Sequence, residues 1–115
     1  MQKDDTIRLR HMLDAAKEAA SFIENKTRDD LNTNRQIVLA LVKCIEIVGE
    51  AAANISKQYQ KDLDKIPWAN ITGMRNRLIH AYFDINLDIL WKTVVEDLPP
   101  LIAELENIIP HEDNA

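Results

Sequence analysis

Two apolar stripes run side by side between Asn34 and Tyr59, and they restrict the possible folds more than any other stretch of the chain. Val38, Leu41, Ile45, Val48, Ala52 and Ile55 recur at spacings of three and four, which places them on one face of a helix. Ile37, Ala40, Cys44, Ile47 and Ala51 form a second stripe beside the first. A helix apolar over so wide an arc must touch more than one neighbour. It is either the central helix of a bundle or a helix that packs in the bundle and also at a dimer interface. Lys43, Glu46, Glu50, Asn54 and Lys57 mark its narrow polar edge.

Helices are expected on either side. Leu9, Leu13, Ala16, Ala20 and Ile23 share a face of a first helix over about 4–25, with Asp4, Asp5 or Thr6 available as its cap. Pro67 suits the first turn of a third helix, expected to run to about Tyr82. Leu87, Trp91, Val94 and Leu98 align on a fourth, after a break at Asp84-Ile85-Asn86. Pro99-Pro100 must kink or restart that helix, because neither residue donates a backbone hydrogen bond. The apolar phase resumes through Leu101, Leu105 and Ile108. Only 2 glycines and 4 prolines occur in 115 residues, too few turn formers for a many-stranded sandwich or barrel. The expectation is one all-α domain over 1–115, an up-and-down bundle of four to five helices.

Several function classes recede on composition. The N-terminal stretch MQKDDTIRLRHMLDAA is charged and lacks the apolar core of a signal peptide, and no run of eighteen apolar residues exists. Cys44 is the only cysteine, so no internal disulfide forms, and with no Cys or His at metal spacing it reads as a small core hydrophobe. A cytoplasmic protein is expected, with no membrane partner and neither metal nor cofactor. The net charge of −5 argues against a general DNA- or RNA-coating role, since such proteins bind by neutralising phosphates. An enzyme that needs positive charge only in its cleft is still allowed. From Lys65 to Phe83 there is no acid at all, while Lys65, Arg75, Arg77 and titratable His80 are present.

That segment contains Arg75-Asn76-Arg77-Leu78-Ile79-His80-Ala81-Tyr82. Cutting RNA without a metal needs a proton carrier for the ribose 2′-hydroxyl and a cation for the charge on the phosphorane. Histidine titrates near neutrality, and the arginine fork donates two parallel hydrogen bonds to a phosphate. On an ideal helix Asn76 and His80 share a face, whereas Arg75 and His80 point about 140° apart. Arg75 and His80 can converge only near a helix end or across a twofold axis. The bland readings compete with this one. A histidine near a helix C-terminus serves as a dipole or capping partner, and Arg75 and Arg77 can pair with Glu46 or Glu50. Tyr82 and Phe83 read as core, and Trp68 and Trp91 as core anchors rather than base-stacking platforms.

The segment from Trp68 to Trp91, with Arg-Asn-x-x-x-His-x-Tyr in a Gly-Met-Arg-Asn context, resembles the signature of the HepT-like proteins. These are HEPN-domain toxins that accompany a minimal nucleotidyltransferase (MNT) antitoxin. Ile47-Val48-Gly49-Glu50-Ala51-Ala52 and Asp97-Leu98-Pro99-Pro100-Leu101 resemble further parts of the same family. The resemblance implies a bundle that dimerises, with the motif of each subunit facing a shared cleft, and a metal-independent endoribonuclease activity. It implies that Arg75 stabilises the scissile phosphate, that His80 is the general acid/base, and that Asn76 orients phosphate or His80. Tyr82 would be the residue that the partner nucleotidyltransferase modifies with AMP, which would block RNA sterically and electrostatically. Arg77 and Glu50 are expected to support the cleft, Glu50 by pairing with Arg75 or Arg77. The competing reading is a non-catalytic subunit that captures a nucleotide or substrate for the partner's enzyme; a third is a dimerisation module whose motif serves only packing.

Overall fold

The computed structural model describes residues 3–81 and 84–109, with the backbone alone at residues 3 and 79–81. Its order is α1 (Lys3–Phe22), α2 (Asp30–Thr33), α3 (Arg35–Ala53), α4 (Lys57–Asp62), α5 (Trp68–Thr72), α6 (Met74–Leu78), β1 (Ile79–Ala81), β2 (Asp84–Ile85), α7 (Leu87–Lys92), a π-helical turn (Thr93–Asp97) and α8 (Leu98–Ile108). Principal extents of 43 × 30 × 19 Å leave room for two helices across the shortest axis. The fold is all-α, with one two-stranded hairpin added. Among the described residues no helix is long and apolar enough to cross a membrane.

Helix α3 is the centre, as its double stripe predicts. Val38, Leu41, Ile45, Val48, Ala52 and Ile55 are all buried. Asn34 caps its start by accepting from Ile37 N at 3.1 Å. The second stripe is covered only in part: Cys44 and Ala51 are buried, while Ile37, Ala40 and Ile47 stay half-exposed. Helix α1 packs along α3, α8 covers α1, and α5 and α6 lie against α3 from another side. In α1 the buried face is broader than the expected stripe: Met12, Ala15 and Ala19 join Leu9, Leu13 and Ala16, while Ala20 and Ile23 are half-exposed.

Outside the motif, and besides the earlier end of α1 at Phe22, the scaffold departs from expectation at two places. Helix α3 stops at Ala53 rather than Tyr59, because Ser56 starts a new helix. The Ser56 Oγ accepts from Tyr59 N at 3.3 Å, and Ser56 itself is seized by α1. Its backbone N and its Oγ donate to Asp5 at 3.0 and 2.8 Å. Asp5 therefore ties the two chain segments together instead of capping α1. It is buried, and the bond from Ser56 N holds its carboxyl below the ordinary 3.8, against the opposing effect of burial.

The second difference is the C-terminal run. The prolines sit in the first turn of α8 as expected, but the turn before them widens into the π form. Pro99 and Pro100 cannot donate to the carbonyls four residues back, so the α-helical ladder is broken there. The buried series becomes Leu90, Val94, Leu98, Leu101 and Leu105, and Trp91 is left half-buried against the core.

Candidate active site

The motif helix is short and built in two pieces. Helix α5 ends at Gly73, yet Gly73 N donates to Ala69 O at 3.1 Å and Arg77 N to Gly73 O at 3.3 Å. Helical bonding thus passes through Gly73 into α6. Trp68 anchors the start: its Nε1 donates to Gln60 O and Leu63 O, both at 3.0 Å. Met74 and Leu78 bury the inner face of α6, while Arg75, Asn76 and Arg77 stay exposed on its outside.

The helix ends at Leu78, four residues short of the expected end. Leu78 O accepts from Asn86 N at 2.8 Å, so the chain turns back on itself as a hairpin. Asn86 also caps α7 by accepting from Ile89 N at 3.0 Å. Ile79, Tyr82, Phe83 and Ile85 are strand-favouring types, which explains why the helix gives way here. The expectation that Asn76 and His80 share a helix face is therefore corrected: Asn76 is on α6 and His80 is in β1. The antiparallel pairing is Ile79 with Ile85 and Ala81 with Asp84, so His80 occupies the extra position of a β-bulge. Tyr82 and Phe83 lie outside the described residues.

The two arginines part company. They are two residues apart on α6, which turns them about 200° from one another. Arg75 reaches α3, where its Nε stands 3.5 Å from Glu46 Oε2. Its side chain is 44% exposed, and the Nε contact leaves the two Nη groups available. Arg77 folds back to donate from Nη2 to Asn70 O at 3.0 Å. Its Nη1 lies 3.4 Å from where a β-carbon on Gly73 would stand, so a glycine there gives the guanidinium room. Glu50 does not carry out the expected pairing: among the described residues it bonds neither arginine, and it lines a shallow groove with Arg8 and His11. Glu46, one turn earlier on the same face, takes Arg75 instead.

Elsewhere the chemistry is muted. The Cys44 thiol is pushed up to about 11, first by burial and then by the charge of Glu18, whose Oε1 lies 3.7 Å away. It stays protonated at neutral pH and behaves as the expected core hydrophobe. Among the described residues no three His, Cys, Asp or Glu side chains come together in a way that could hold a metal ion. Sequence reasoning missed the bulge at His80 and a cleft of about 450 Å³ on the Arg77 side of α6. The run of β-prone residues after Leu78 was the available signal for the first. The double proline was the signal for the second, since the π turn it causes forms one wall.

The fold and the site define a class: a small all-helical domain with its arginines outside a short helix and its histidine in the strand that follows. The model of the family described as "Ribonuclease HepT-like" matches residues 12–108. The chain belongs to the ribonuclease HepT-like family. It is 37% identical over 100 residues to "Probable ribonuclease HepT" of Thermococcus cleftensis, covering 84% of this chain and 91% of that one. It is 32% identical over 104 residues to a "Putative RNase" of Caldanaerobacter subterraneus subsp. tengcongensis, covering 90% and 93%. A Methanocaldococcus jannaschii protein named "Gamma-glutamylcyclotransferase and putative RNase" is 34% identical over 113 residues, or 98% of this chain. The chain spans only 51% of that longer protein. No solved structure matches the chain significantly.

Proposed function

We propose that the chain is a toxin-type endoribonuclease whose cleavage needs no metal. Arg75 stabilises charge on the scissile phosphate, His80 exchanges the protons of the 2′-hydroxyl and the leaving oxygen, and Asn76 orients phosphate or imidazole. The observation that carries the reading is the placement of the motif. Arg75 and Asn76 are exposed on α6, and two residues after that helix ends the backbone of His80 holds the extra position of a bulge. The acid-free stretch from Lys65 to Phe83 supplies the local positive charge that a chain of net charge −5 otherwise lacks.

The same reading places the working site in a homodimer. The half-exposed stripe of Ile37, Ala40 and Ile47, and exposed Leu39, offer apolar area on α3 for a second copy. A shared cleft would let Arg75 of one subunit serve His80 of the other. A nucleotidyltransferase antitoxin is the proposed partner, restraining cleavage by tight binding or by adding AMP to Tyr82. Purified RNA incubated in EDTA with the wild type, Arg75→Ala and His80→Ala tests the chemistry. Cutting by the wild type alone is the expected result, and equal inertness of all three would sink the proposal. Intact mass after co-expression with an adjacent nucleotidyltransferase reads the modification as one or more added AMP units, localised to Tyr82 by peptide mapping.

A further inference from the structure

The cleft beside Arg77 faces away from Arg75, and its charges are arranged for a different partner. Its floor is apolar, made by Ile66, Ile71, Met74 and Leu101. One wall carries Lys65 and Arg77; the other, from the π turn and α8, carries Glu96, Asp97 and Glu104. Among the described residues no ion pair crosses the cleft, so these charges stand open to a ligand. A second groove of about 320 Å³ shares Lys65, Ile66 and Glu104 with the first and adds Asp62 and Asp64 at its rim. Along the joined groove five carboxylates stand against two cations. The 450 Å³ cleft lies in the size range of sites that enclose a ligand. The π turn, a feature often found at functional positions, supplies the wall that bears Glu96 and Asp97.

We infer that this groove docks a segment of a partner protein that carries arginine or lysine side chains among aliphatic ones. The apolar floor takes the aliphatic groups and the stems of the basic ones, and the carboxylates take the cationic heads. RNA is a poor occupant, because its phosphates would face the five carboxylates at close range. Met74 and Arg77 belong to α6, so an occupant presses on the helix that holds Arg75 and Asn76 without covering the side on which Arg75 lies. The groove is thus a place from which a protein can be read by the motif helix, whatever chemistry that helix performs.

Methyl NMR of the full chain tests this, following Ile71, Met74 and Leu101 during titration with a ten-residue peptide of alternating leucine and arginine. Saturable shifts at these three residues are expected, with no such response to the leucine–glutamate counterpart. The combined change Glu96→Gln, Asp97→Asn and Glu104→Gln should weaken binding about tenfold. Glu96 and Asp97 are exposed, and among the described residues none of the three has an ion-pair partner, so the fold should persist; circular dichroism checks it. Undiminished affinity in the triple variant, equal binding of the acidic peptide, or silence at the three residues would overturn the inference. So would a short oligouridylate that moves the same methyls at a lower concentration than the basic peptide.

Discussion

The α1–α3 pair and the α6–hairpin segment spend their residues in opposite ways. On α3 alone five side chains of one stripe are buried, and Asp5 of α1 is doubly bonded to Ser56 just beyond the end of α3. Helix α6 is five residues long, inserts Met74 and Leu78, and leaves Arg75, Asn76 and Arg77 in solvent. Buried apolar area supplies most of a domain's stability, whereas a site for an anionic polymer needs exposed cations. One region therefore stores stability and the other displays chemistry. Substitutions should separate the two cleanly.

The largest effect expected is His80→Ala, a fall in RNA cleavage of about a thousandfold with the far-ultraviolet circular dichroism unchanged. A variant that cuts RNA at the wild-type rate would remove His80 from the chemistry. Next is Leu41→Ala in α3, which should cost about 3 kcal/mol in urea denaturation, because Leu41 is fully enclosed. Cys44 on the same helix provides a second readout: its labelling by a thiol reagent should accelerate in step with the loss of stability. A loss in cleavage greater than the unfolded fraction explains would blur the division between the regions.

Asp5→Ala should cost about 2 kcal/mol, since it strands the N–H and hydroxyl of Ser56. The pH dependence has a definite sign. A carboxyl held below its ordinary 3.8 in the folded state contributes fully above that value and loses its contribution as pH falls through the lowered one. The gap in stability between wild type and Asp5→Ala should therefore start to narrow as pH falls below about 3.8 and shrink further through the lowered value, and a constant gap would assign the effect to packing alone. The smallest effect is Glu46→Gln. The pair it breaks is long and partly exposed, so stability should change by less than ~0.5 kcal/mol. RNA affinity should rise about twofold as Arg75 is released, measured by the KM of cleavage at low salt.

What the sequence made legible divides along the same line. The α3 stripe could be read because one physical rule, burial of a helix face, acts on every third or fourth residue. The end of α3 could not, because Ser56 is captured by a carboxylate 51 positions away. Arg75, Asn76 and Arg77 were visible as residue types on a helix with no acids nearby. The bulge at His80 was hidden, since it depends on how Ile79 and Ala81 register with Ile85 and Asp84 across the hairpin. Periodicity also carried the fourth helix past Lys92 unchanged, whereas the prolines seven and eight residues later open it into a π turn. The cleft that this wall forms with Arg77 could not be seen in any single segment.

The tie between Asp5 and Ser56 also bears on the order of events during synthesis. Both partners, and all of α1 and α3 between them, precede the motif in the chain. The helix pair can begin to assemble while Arg75 and His80 have yet to emerge from the ribosome. The late-made cationic stretch would then meet a partly built platform on which Met74 and Leu78 have somewhere to dock. A chain stalled before residue 75 would hold most of its scaffold and none of its motif.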